Sequence, residues 1–165
     1  HPDLNLSLRG YSPTLAATGL VDINGPADPS APRLSGLLPG LAVPTIAAVY
    51  RVNGWDWSRF AVGPPLTSPE VTLIGLRAAP GQFVALPPSG YDIVGGYQAL
   101  VLYAAVDRLT LKYTREDNVV SGYTLHLEGV TVDPALLALY RACDAAGRRT
   151  LPAVTGGQVL GVAAG

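Results

Sequence analysis

Apolar and polar residues alternate in short runs along most of this chain, and alternation with a period of two is the signature of half-buried strands. The runs are TIAAVYRV (45–52), EVTLIGL (70–76), QFVAL (82–86), YQALVLYAAV (97–106), RLTLKYT (108–114) and VVSGYTLHLEGV (119–130). Each is rich in branched or aromatic residues and is bounded by Gly, Pro, Asn or Asp. NGWDW (53–57) reads as the turn after the first run, TREDN (114–118) as a charged hairpin tip, and GYDIVGGYQ (90–98) as a tight connection. The closing GGQVLGVAAG (156–165) reads as a glycine-flanked strand. Residues 1–44 differ, with GYSPT, INGPADPSAP and LLPGLAVP all rich in turn formers. Only LNLSL (4–8) alternates there as a strand does. This segment is expected to wrap irregularly around a β core spanning 45–165.

One stretch has a helical period. DPALLALYRACDAAG (133–147) places Leu136, Leu137, Tyr140 and Cys143 on one face. Asp133 suits the N-cap, Pro134 the first helical position and Gly147 the stop. Several short strands with one helix predict a mainly β fold, a small sandwich or barrel, in a single domain over 1–165.

Composition supports that picture and removes some functions. The 165 residues are 48% hydrophobic and 14% charged, enough for a sizeable core under a weakly charged surface. No apolar run reaches the length of a membrane span. Net charge is −1, from 11 basic and 12 acidic residues with no basic stripe, so a nucleic-acid partner is not expected. Cys143 is the one cysteine, which excludes an internal disulfide and any multi-cysteine zinc site. The sequence contains no methionine, as expected of a processed or partial product; removal of a signal peptide would explain it.

Three short pieces, taken in order, resemble a lysostaphin-like M23 peptidase domain. RAAPGQFVAL (77–86) is similar to that family's turn and strand with a small residue, Pro and Gly. YTLHLEGV (123–130) is similar to its YxHLS-type strand, and GQVLG (157–161) to its late GQxIG strand. The likeness covers about half of the chain, and the helix at 133–147 would be an insertion. The family binds zinc through an HxxxD motif and a later HxH. Aligned on AAPGQFV, the HxxxD positions fall on Val71 and Gly75, which cannot ligate a metal through their side chains. His126 stands at the place of the family's non-ligand active-site histidine. The resemblance therefore implies a degenerate lysostaphin-like fold without the zinc chemistry.

Candidate chemistry is sparse. His126 could act as a base or ligand, or hydrogen-bond a neighbouring strand. His1 and His126 are the only histidines, the inventory of a copper histidine brace such as that of lytic polysaccharide monooxygenases. Tyr123, Tyr103 or Tyr113 would then be axial. Cys143 lies on the apolar helix face, where a small thiol is ordinary. Ser121 sits in no nucleophile elbow. YRVNGWDW (50–57) holds Tyr50, Trp55, Trp57 and Asp56, a set able to stack on sugar rings and bond their hydroxyls or to cap one end of a core. The expected function is a non-catalytic extracellular or cell-envelope module binding a glycan or peptidoglycan-type polymer, with no cofactor. The alternatives are a copper enzyme using His1 and His126, hydrolysis centred on His126, or a structural or protein-interaction domain.

Overall fold

A computed structural model describes residues 4–15, 28–41, 44–68 and 71–165. The described residues are mainly β, with antiparallel sheets, two α-helices and no closed barrel among them. Its contacts divide it into two compact units. The first draws on residues 1–26 and 45–77, the second on 27–44 and 78–165.

In the first unit, a helical turn α1 (Leu6–Arg9) precedes strands β1 (Tyr11–Pro13), β2 (Ile46–Asp56), β3 (Ala61–Pro65) and β4 (Thr72–Leu76). The eleven-residue β2 organises the unit and pairs antiparallel with each of the other three strands. Two expectations fail here. LNLSL is not a strand. Ser7 Oγ donates to Asn5 Oδ1, the Leu8 amide turns back to the Asn5 carbonyl, and Gly10 stops the turn at a φ of +73°. Short polar side chains that bond locally divert a backbone from strand pairing. Nor is 1–44 irregular throughout, because GYSPT contributes β1, which among the described strands pairs with β2 alone and so tolerates Pro13.

NGWDW is not the turn after β2 either. Asn53 and Gly54 continue β2 rather than turning it. A Cβ on Gly63 would stand 3.3 Å from the Gly54 backbone, so the two glycines serve close strand approach. The turn comes later, at 57–60, where Asp56 nucleates it.

The second unit contains a 3₁₀ turn (Leu34–Gly36) and strands β5 (Phe83–Ala85), β6 (Ala99–Ala105), β7 (Arg108–Lys112), β8 (Thr124–Glu128), β9 (Val130–Val132), β10 (Ala153–Val154) and β11 (Val159–Ala163). One sheet has the order β10-β6-β7-β8, the other β5-β11-β9. Leu109, Leu111 and Tyr113 from β7 and its end join Val84, Leu86, Val101, Val154 and Leu160 in the core. Gly161 of β11 lies so close to the Thr131 carbonyl of β9 that a Cβ there would collide with backbone.

Helix α2 (Pro134–Ala145) forms where its signals predict. The Leu136 amide donates to Asp133 Oδ1 at 2.9 Å, and Leu136, Leu137 and Tyr140 are buried. Gly147 at φ +82° and the Arg148 amide bonded to the Cys143 carbonyl complete a Schellman stop. Arg148 then closes a clasp. Its guanidinium donates to both Asp117 oxygens, to Asp144, to the Tyr140 hydroxyl and to the Leu102 carbonyl. That ties the 113–123 connection to the helix end and to β6. No helix among the described residues is long and apolar enough to cross a membrane.

Candidate functional site

The β2–β3 hairpin carries the residues of YRVNGWDW, and the structure gives them unequal roles. The Asp56 carboxylate accepts from the Ser58 amide at 2.9 Å, the Ser58 hydroxyl at 2.6 Å and the Arg59 amide at 3.1 Å. These bonds, the Ser58 hydroxyl foremost, hold its carboxyl below the usual range, so it stays ionised. Asp56 therefore builds the turn through Oδ1, while Oδ2 stands 3.8 Å from the Arg59 guanidinium. Tyr50 is half-buried and meets Tyr11 edge-on at 5.1 Å between centroids. Trp55 is half-buried, with its Nε1 shielded from solvent and without a hydrogen-bond partner. Trp57 is 50% exposed on the turn itself.

Sequence reasoning missed Phe60. It ends the four-residue turn 57–60, is 76% exposed, and holds a φ of +50°. Hairpin turns of this length place their last residue in the left-handed region, where Gly and Asn are at ease and a bulky residue is not. The signal available in the sequence was DWSR: an Asp followed two residues later by Ser is a turn former. Trp57, Phe60 and Val62, itself 51% exposed, are three exposed apolar residues at the tip, and Arg59 is exposed between the first two.

His126 lies in the second unit on β8. Its Nδ1 is 3.0 Å from Thr110 Oγ1 on β7, directly opposite it in the ladder. The same register sets Glu128 opposite Arg108 and Thr124 opposite Lys112. Tyr103 of β6 faces Thr110, and its ring meets Tyr140 of α2 at 6.0 Å. This sheet face is thus polar yet largely covered. Lys112 is 0% exposed and donates to the Ser121 carbonyl, while Thr124 Oγ1 and Glu128 Oε1 are shielded without a hydrogen-bond partner, the Glu128 charge facing Arg108. Among the described residues no three His, Cys, Asp or Glu side chains gather as a metal site would require.

The remaining candidates scatter. His1 lies outside the described residues. Val71 precedes β4, and Gly75 sits within it opposite Ala48. Cys143 is a half-buried thiol on α2. Tyr113 is buried in the core with its hydroxyl on the Pro87 carbonyl at 2.7 Å, and burial pushes its phenol up. Tyr123 stands at the start of β8, 39% exposed, beside Tyr91.

Comparison with known proteins finds no matching family model, no matching curated protein and no matching solved structure. The class that the fold defines is a mainly β protein, and its function has to be argued from its sites.

Proposed function

We propose that the chain is a non-catalytic binding module of the extracellular space or cell envelope. It has a degenerate M23-like fold and takes a glycan or peptidoglycan-type polymer on the β2–β3 hairpin tip. The observation that carries this reading is the exposure of two aromatic residues, Trp57 and Phe60, on one four-residue turn fixed by Asp56. Flat aromatic faces stack on the apolar faces of sugar rings, and a turn fixed in advance lowers the ordering cost of binding.

The test is retention on insoluble glycans and on isolated peptidoglycan, comparing the protein with its Trp57→Ala variant. Loss of one stacking ring should weaken retention about tenfold, equivalent to ~1.4 kcal/mol. If no polymer retains the protein, or if Trp57→Ala is retained equally, the glycan reading is wrong. A structural or protein-interaction domain then takes its place.

A further inference from the structure

A second surface, on the other unit, has a chemistry of its own. Asp28 is exposed, and its Oδ2 accepts from the Tyr91 hydroxyl at 2.5 Å while Oδ1 accepts from the Ser30 amide at 2.8 Å. The Tyr123 hydroxyl also lies close enough to favour its ionised form, after Tyr91 and Ser30. None of the ion pairs among the described residues involves Asp28. Beside this carboxylate the rings of Tyr91 and Tyr123 sit 6.0 Å apart, tilted by 52°, an aromatic corner with Tyr123 39% exposed.

The corner is rigid. The Gly90 amide donates to the Ser30 carbonyl at 2.9 Å and the Tyr91 amide to Ser89 Oγ at 3.1 Å. A Cβ on Gly90 would lie 2.6 Å from Ser30 Oγ, so only glycine lets segments 28–30 and 89–91 approach this closely. The Tyr113 amide, bonded to the Tyr123 carbonyl at 3.0 Å, fixes the other ring's backbone.

What would such a site hold? Each oxygen of Asp28 accepts one bond from the protein, which fixes where the carboxylate points. Its charge is undiminished. Ring faces carry negative potential and attract a cation within about 6 Å of the centroid. A negative charge fixed beside two aromatic rings suits a weakly hydrated organic cation. We infer that Asp28, Tyr91 and Tyr123 form a binding site for a quaternary ammonium group. The site is separate from the hairpin tip and does not depend on the glycan reading.

The experiment titrates the protein with choline and, at constant ionic strength, with its neutral isostere carrying carbon in place of nitrogen. Ring resonances of Tyr91 and Tyr123 are followed by NMR. Choline should shift both rings and bind at least about tenfold more tightly than the isostere. Asp28→Asn, which can still accept from Tyr91, and Tyr123→Leu should each weaken choline binding several-fold. Equal response to both compounds, or shifts that miss both tyrosines, overturns the assignment, and this comparison needs no variant to fold. Phosphatidylcholine vesicles form a second arm. Cosedimentation places the group on a lipid, and choline binding without it on a soluble molecule; either result supports the site.

Discussion

Replacing Phe60 by glycine should weaken polymer retention about tenfold without weakening the fold. A bulky residue in the left-handed region costs roughly 1–2 kcal/mol. Glycine relieves that strain but adds freedom to the unfolded chain, which costs about 0.4–1 kcal/mol. The ring term is nearly nil. Phe60 is 76% exposed in the fold, and a denatured chain already covers about 10–40% of its surface, so folding buries almost nothing here. The sum runs from neutral to about 1.6 kcal/mol of stabilisation. Phe60→Asn, tolerant of the same φ and free of glycine's entropy, should behave alike. Urea unfolding followed by tryptophan fluorescence reads this hairpin directly, since Trp55 and Trp57 are the only tryptophans and both lie in it. Retention on the polymer is measured in parallel. A stability loss above about 1 kcal/mol in both variants would show that Phe60 packs the fold, and the reasoning from strain to function would fail.

Arg148→Ala should lower stability by about 2 kcal/mol, the scale of losing a charge-assisted bond to a backbone carbonyl. The exposed Asp117 and Asp144 rehydrate and add little. Arg148→Lys should not restore the loss, because one ammonium cannot span the same acceptors. An unchanged urea midpoint would refute the clasp, and limited proteolysis should find 113–123 newly cleavable in the alanine variant. Lys112→Met should instead stabilise the protein by about 1 kcal/mol, since it removes a desolvated ammonium that bonds the Ser121 carbonyl and attracts the exposed Glu116 only weakly, and keeps the volume filled. A lowered midpoint in that variant would show that the amine is needed where it sits.

The legible parts of this fold were those with redundant local signals. Helix α2 announced itself through Asp133, Pro134 and its apolar spacing, and each signal does in the structure what its chemistry suggests. Strands β4 to β8 followed from alternation bounded by breakers. The errors came where one residue type serves two purposes. Asn53-Gly54 carries a strong turn signal, but Gly54 allows Gly63 and its neighbours to approach within a continuing hairpin. Partner distance, not local propensity, decides between the two uses. The tip was half legible for the same reason. Trp57 could be picked as an aromatic, whereas Phe60 matters through its backbone angle, which no composition reveals.

Among the described residues two non-glycine residues hold positive φ, and they are strained for different reasons. Arg148, at +58°, reaches five acceptor contacts that bind helix, strand and connection together, so its strain is offset inside the molecule. Phe60, at +50°, directs most of its ring into solvent. Folding gains almost nothing from that ring, and glycine or asparagine would suit the turn better. Had stability alone chosen position 60, the cheaper residue would stand there. A costly conformation that displays an aromatic ring, next to a second exposed one, makes sense when the compensating contact lies on another molecule. That asymmetry ranks the hairpin tip above His126, whose strand partner Thr110 lies within hydrogen-bond distance inside the chain.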